Sequence, residues 1–427
     1  MTAPWMAFLE SNTTGTGREF CAAARARGLR PVLLARDPGR YPYAAEDAVD
    51  VLALDTARPD AVLRALTALA GDGGLAGVTS SSEYYVAAAA HAAAALGLPG
   101  PDGDAVAACR TKDVQRERHR AAGVPVPGFA VARDADAAVA AADSLGFPVV
   151  LKPVSGSGSV GVRLCRDAAD TLAWARRLLD RDGHDRLLVE EAVAGPEFSV
   201  ETFDGEVVTV VAKHVGPAPY FVETGHDVPA VTPESTAHAL GETALRALAA
   251  LGLGWGAAHT ELRWSAGGPV VIEVNPRLAG GMIPVAVRAA LGVDLVDAAV
   301  ARAAGLPAAR PVPGTGHASV RFVRATREGR VAGVRGLTAA AASPGVLTAR
   351  ATTEPGRHVR ITHSFQDRLA CVVAEAPDPL AAARRALAAT DLIEIDLAPA
   401  TGPAPHPSTD TARDTAQDPS RERAVVR

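Results

Sequence analysis

The sequence predicts a multidomain chain of mixed α/β and α+β character, and three observations predict it. Residues 1–105 alternate short apolar runs with helical periods, the pattern of an open parallel sheet covered by helices. From 147 to 275 strand-like runs follow one another with few helices between them. Gly/Pro-rich punctuation at 97–101 and 307–316 divides the 427 residues into units. The expected units are 1–105, 106–305 and 306–400. The middle one splits into 106–185 and 186–305. Residues 401–427 are rich in Pro, Thr, Asp and Arg without apolar period and are expected to be disordered.

Composition bounds the function classes. Hydrophobic residues make up 48% and charged residues 21%, an ordinary globular balance. A net charge of −5 implies no general affinity for nucleic acid. The four cysteines, Cys21, Cys109, Cys165 and Cys371, form no C-x-x-C pair and suit a reduced, cytoplasmic protein. No signal peptide is expected at the N-terminus, and no apolar run is long enough to span a membrane.

Element by element, Trp5–Leu9 is a strand, 11–17 a polar loop, and 18–27 a helix closed by Gly28. Strands follow at 31–35 and 75–79, with helices at 61–70 and 83–96. The loop after the first strand lacks the third Gly of a dinucleotide fingerprint, so no such cofactor is expected there. One helix is expected over 104–122, carrying Thr111-Lys112-Asp113, and another over 135–145. Residues 147–153 (F-P-V-V-L-K-P) form a strand. Its Lys152 needs a partner if buried, and a phosphate would serve.

Ser155-Gly156-Ser157-Gly158-Ser159-Val160-Gly161 follows at once. It matches G-x-G-x-x-G, but 162–165 reads as a strand and not the helix that a dinucleotide motif requires. A strand, a Gly/Ser loop and a second strand make a hairpin whose N–H groups can fold over phosphates. Strands at 187–191, 198–203 and 207–215 lead to a polar, aromatic loop at 217–229 holding Tyr220, Glu223, His226 and Asp227. A helix at 236–251 ends at Gly252.

The richest stretch is V-V-I-E-V-N-P-R-L-A-G-G at 270–281. Glu273 and Asn275 interrupt an apolar strand, and two residues apart they share a face. A buried carboxylate is costly unless paired or holding a metal. Glu261, in H-T-E-L-R-W, lies across an expected hairpin turn at 265–268. Three oxygen ligands on one hairpin, followed by Arg277, suit Mg²⁺. Helices at 284–291 and 294–303 come next. The last unit has strands at 318–324, 331–333, 346–351, 358–361, 369–374 and 392–397, with a helix at 379–388.

In this order and spacing, T-K-D, V-V-L-K-P, S-G-S-G-S-V-G, L-V-E-E-A-V-A-G-P-E, H-T-E-L and I-E-V-N-P-R resemble the ATP-grasp superfamily of carboxylate–amine ligases over roughly residues 1–400. No P-loop G-x-x-x-x-G-K-[ST] is present. Tyr220–His226 and Asn275–Gly281 resemble the L-amino acid ligases, which form dipeptides. The resemblance implies an ATP-grasp fold, with ATP and two Mg²⁺ ions (Mn²⁺ as an alternative), amino acid substrates and a homodimer. It implies that Lys112, Lys152 and the loop residues Ser155, Gly156, Ser157, Gly158, Ser159 and Gly161 contact phosphates. Glu190, Glu191 and Val193 would read adenine, and Glu197 the ribose. Glu261, Glu273 and Asn275 would hold the metal. Arg277 would meet the transferred phosphate, and Glu223, His226, Gly280 and Gly281 would face the amino acids. His226 could accept the proton of the attacking amine or only bind substrate. The competing enzyme reading is a formate- or bicarbonate-using ligase. A non-catalytic nucleotide-binding protein would predict damage to the lysine and metal set, which is intact.

Overall fold

The structure is a computed structural model that describes residues 3–13, 16–312 and 314–398. The expected disordered tail at 401–427 lies outside the described residues. Among them no helix is long and apolar enough to cross a membrane.

The first sheet is fully parallel, in the order Asp50–Ala53, Arg30–Ala35, Trp5–Leu9, Leu75–Thr79. Every residue of Trp5–Leu9 is buried, because both faces are covered. Met6 and Phe8 point to a cluster with Phe20, Cys21 and Leu33. Trp5, Ala7 and Leu9 point to the opposite cluster with Val62, Leu66 and Ala93. The helix Leu295–Ala303 contributes Val296, Val300 and Ala303 to the first cluster, which seats the middle of the chain against this sheet.

Two antiparallel sheets build the rest of the site. A four-stranded sheet runs Phe129–Ala132, Leu187–Glu191, Val149–Pro153, Arg163–Cys165. An eight-stranded sheet runs Gly268–Asn275, Ala257–Ser265, Glu197–Phe203, Glu206–Val215, Glu223–Val228, His317–Arg324, Arg368–Ala376, Val346–Ala351. The strands expected after 306 thus divide, three extending the large sheet and the others forming a small sheet of His358–Val359, Gly329–Arg335 and Glu394–Ala398.

Three expectations need correction. Residues 104–122 form two helices, Gly103–Cys109 and Lys112–Ala121. The break has no Gly or Pro. It is set by a bond from Lys112 N–H to the Val154 carbonyl, 2.8 Å, which ties the second helix to the end of the Lys152 strand. The polar loop at 217–229 contains the strand Glu223–Val228, paired on both sides. The helix expected from 83 begins at Val86, which leaves Glu83 in the connection before it.

Candidate active site

The helix Lys112–Ala121 bridges the four-stranded and eight-stranded sheets through two cations. Arg116, fully buried, donates from Nε to Glu190 at 2.5 Å and from Nη2 to the Ile272 carbonyl at 2.6 Å. Lys112 Nζ reaches Glu273 at 3.1 Å and the Gly156 carbonyl at 2.5 Å. Sequence reasoning missed Arg116, whose role appears only when two sheets meet.

The expected phosphate lysine, Lys152, lies 2.5 Å from Glu190. Burial pushes its ammonium down and Glu190 opposes this. Burial likewise opposes ionisation of Glu190, but Arg116 and Lys152 outweigh it and hold the carboxyl below its usual range. Both Glu190 oxygens are therefore engaged inside the protein. Its neighbour Glu191 is exposed and accepts from Gly128 N–H at 3.4 Å. Glu197, expected at the ribose, is paired with Arg263 at 2.9 Å and Lys213 at 3.1 Å, while the Val193 carbonyl accepts from Arg263 at 3.1 Å.

Residues 155–161 form the connection between antiparallel strands, as the hairpin reading requires. Its ties to the rest of the protein run through oxygens. Gly156 O accepts from Lys112, Gly158 O accepts from Phe365 N–H at 3.0 Å, and Ser159 Oγ donates to Phe221 O at 3.0 Å. Gly158 has φ +65°, and a Cβ there would sit 2.3 Å from the Phe365 ring.

The hairpin of Ala257–Ser265 and Gly268–Asn275 places Glu261 opposite Glu273, with Asn275 two residues on. Two carboxylates and an amide oxygen form a donor set for a hard cation. A void of about 20 Å³ lies among Gly156, Glu273, Asn275 and Arg277, and one water or small ion needs about this much room. No group of three or more His, Cys, Asp or Glu able to hold a metal occurs among the described residues. Glu273 and Asn275 line this void but Glu261 does not, so the hairpin would offer Mg²⁺ only a partial shell for water and phosphate oxygens to complete.

Arg277 donates from Nε and Nη2 to Glu83 at 3.0 and 2.5 Å. Burial disfavours the Arg277 cation, but Glu83 overrides it and raises its pKa. Glu83 comes from the N-terminal unit, and nothing near it in sequence marks it.

The hub of the cluster is Lys213, also missed from the sequence. Its side chain is 2% exposed and its Nζ lies 2.8 Å from Glu261, 2.9 Å from Glu223 and 3.1 Å from Glu197. Burial alone would lower its pKa. The three carboxylates overrule burial and hold it well above the usual lysine value. Glu223 also accepts from Arg368 Nη1 at 2.8 Å. Its carboxyl is held low because Lys213, His226 and Arg368 outweigh burial. His226 is 1% exposed and packs edge-on against Phe322; among the described residues neither ring nitrogen has a hydrogen-bond partner, and Nε2 lies 3.8 Å from Glu223. Burial drops its pKa to about 3, so the ring is neutral at pH 7. Gly281, at φ +59°, lets the backbone pass so close that a Cβ would lie 2.6 Å from His226 Nε2.

Arg277, Glu261, Glu273, Asn275, Glu223, His226, Gly280 and Gly281 all line one cavity of about 880 Å³, closed on one side by Ser157 and Gly158 of the loop. Lys152 and Glu190 do not line it. The structure therefore separates the predicted residues into a hairpin-and-substrate group in the cavity and a buried Lys152–Glu190 pair, joined by Arg116, that does not line it.

The chain matches an ATP-grasp N-terminal domain over residues 21–100, an ATP-grasp domain over 145–285, and the L-amino acid ligase C-terminal domain 2 over 321–398. It is 37% identical to the uncharacterised protein y4rH of Sinorhizobium fredii over 373 residues, covering 86% of this chain and 78% of that one. It is 35% identical to carnosine synthase 1 of Gallus gallus over 46% of this chain, but spans only 24% of that longer protein. Similarity to a D-alanine–D-alanine ligase of Stutzerimonas stutzeri is 32% over 43% of this chain and 60% of that one. The fold is that of an L-amino acid ligase from Bacillus licheniformis, with a TM-score of 0.78 at 22% identity over 93% of this chain and all of that one. The acidic hairpin and Arg277 lie within the central of the three domain matches. The chain belongs to the ATP-grasp family of ATP-dependent carboxylate–amine ligases.

Proposed function

We propose that the protein joins two amino acids. ATP phosphorylates the carboxylate of the first, giving an acyl phosphate and ADP. The amine of the second attacks the acyl carbon, the C–O bond to phosphate breaks, and a peptide and phosphate leave. The observation that carries this reading is the shared cavity. Arg277, the acidic hairpin, the Glu223 carboxylate and the neutral His226 line the same space, with Lys213 holding Glu261 and Glu223 side by side.

Each residue has a task set by its surroundings. Arg277 presents a planar fork to oxygens that gain charge during transfer, which is where a cation accelerates the step. Lys112 and the N–H groups of 155–161 hold the phosphates, and the loop keeps water from the acyl phosphate. Lys152, buried and paired with Glu190, adds positive charge, while the chain at Glu190, Glu191 and Val193 takes the adenine and Glu197 the ribose. Glu261, Glu273 and Asn275 would hold Mg²⁺, which when bound supplies positive charge against the phosphate oxygens. Glu223 orients an ammonium group by a charge-assisted hydrogen bond. His226, neutral and with free ring nitrogens, is placed to accept a hydrogen bond from the amine and orient it for attack, rather than to carry its proton.

The test is incubation with Mg·ATP and pairs of amino acids, with phosphate release and product mass followed together. A dipeptide formed with stoichiometric phosphate is the expected result. Phosphate release that requires bicarbonate or formate and no amino acid pair would assign the chain to a one-carbon ligase instead.

A further inference from the structure

The strand Val346–Ala351 closes the edge of the eight-stranded sheet and brings Arg350 to the cavity wall, opposite Cys371 in register. Its surroundings are unusual for a guanidinium. Nη2 contacts the Met282 sulfur at 2.9 Å, and a second contact is the Cys371 thiol. Both are weak acceptors. Nε is buried without any partner. Among the described residues no carboxylate pairs with Arg350. Glu19, also on the cavity wall, feels its charge from beyond ion-pair distance. The other buried cations of the site are satisfied: Arg277 by Glu83, Lys213 by three carboxylates and Arg368 by Glu223; Arg357, also on the wall, is exposed and donates to the Thr352 carbonyl at 2.7 Å.

A buried guanidinium edge without an oxygen partner is costly, and a fork of N–H donors matches a carboxylate. We propose that Arg350 binds the α-carboxylate of the amine-donating amino acid. This deepens the reading above and rests on it. The first amino acid gives up its carboxylate to the acyl phosphate near Arg277. The second keeps its own, and Arg350 is the lining cation with a buried N–H that lacks a partner, whereas Arg357 is exposed to water. A free carboxylate on the amine donor is therefore a binding requirement, and simple amines or amino acid amides are poor acceptors.

The test compares an amino acid acceptor with its carboxamide in the full-length wild type and in Arg350→Met, an unbranched replacement of similar reach. Wild type is expected to favour the acid over the amide by roughly 10–100-fold in kcat/KM, the worth of hydrogen bonds to a charged group. Arg350→Met should raise KM for the acceptor acid by a similar factor, leave KM for ATP and for the acyl donor unchanged, and erase the preference. Arg350→Lys, which keeps charge without the fork, should fall between. Preserved discrimination in a folded Arg350→Met protein overturns the assignment. If wild type makes no dipeptide at all, the ligase reading fails separately. The Arg350 assignment is then read from melting curves with acid and amide probes. Stabilisation by the acid that survives Arg350→Met overturns it, and stabilisation lost in the variant upholds it.

Discussion

Removing the Lys213 ammonium is the sharpest test of how this site is held together. In Lys213→Met the side chain keeps its length, so little packing changes. Three contacts of 2.8–3.1 Å vanish at once. Glu197 retains Arg263 and Glu223 retains Arg368, but Glu261 retains only His259 Nε2 at 3.2 Å. The net result is one buried charge without compensation, which costs about 3–5 kcal/mol. At about 2–4 °C per kcal/mol for a cooperative unit of this kind, the melting temperature at pH 7 should fall by roughly 6–20 °C. The pH dependence carries the signature. In wild type the folded pKa of Glu261 lies well below its unfolded value, so its stabilisation is present above that value and lost on acidification. In the variant the orphaned carboxylates bind protons more readily when folded, so acidification helps. The gap between variant and wild type should shrink from pH 7 to pH 5. Adding Glu261→Gln to Lys213→Met should recover part of the loss. A variant melting within about 1 °C of wild type, as an ordinary surface substitution would, refutes the hub. So does a gap that is constant with pH.

Three further outcomes are expected. Arg277→Ala should lower turnover on the order of 10²–10³-fold with nucleotide affinity nearly intact, because its cation meets charge that develops during transfer; near-normal turnover would remove the role. Amides of 155–159 should exchange quickly in the free protein and slowly with a non-hydrolysable ATP analogue, since the loop is tied down through its oxygens and its N–H groups await phosphate; equal protection in both states would make it a rigid hairpin. Burial holds His119 at a pKa of about 4 and His226 at about 3, so the unfolded chain takes up protons first as pH falls below the ordinary histidine value. Each should withdraw about 2 kcal/mol by pH 5, and urea melts at pH 7 and 5 should differ less in His119→Gln than in wild type.

What was legible in the sequence was local. The acidic hairpin could be read because its two strands are joined by a short turn and share a period of two, which brings Glu261 beside Glu273 without knowledge of the fold. The first parallel sheet was legible because strands buried on both faces leave uninterrupted apolar runs. The strand Glu223–Val228 was not, because E-T-G-H-D-V has one large apolar residue. It is a strand because ladders on both sides and ion pairs from Lys213 and Arg368 replace the apolar contacts that a pattern could reveal. The helix break at Thr111 was hidden for a related reason: a distant carbonyl, that of Val154, decides it.

The missed residues share one property. Lys213, Arg116, Glu83, Arg350 and Arg368 gain their meaning from partners on other strands and helices or from a cavity wall, not from adjacent residues; the Arg277–Glu83 pair spans 194 positions. Yet they explain why so many carboxylates can stand in one place. Glu190, Glu197, Glu223, Glu261 and Glu273 each have a lysine or arginine within ion-pair distance. Such pairs compensate the desolvation of both charges without any bound ligand. They also set a limit on binding. A cation that arrives at Glu261 or Glu273 must compete with Lys213 or Lys112, so phosphate has to arrive with it to give the displaced ammonium a new partner. If these residues hold the metal as proposed, metal and nucleotide are expected to bind as one unit, and calorimetric titration with Mg²⁺ should show tight binding only when nucleotide is present.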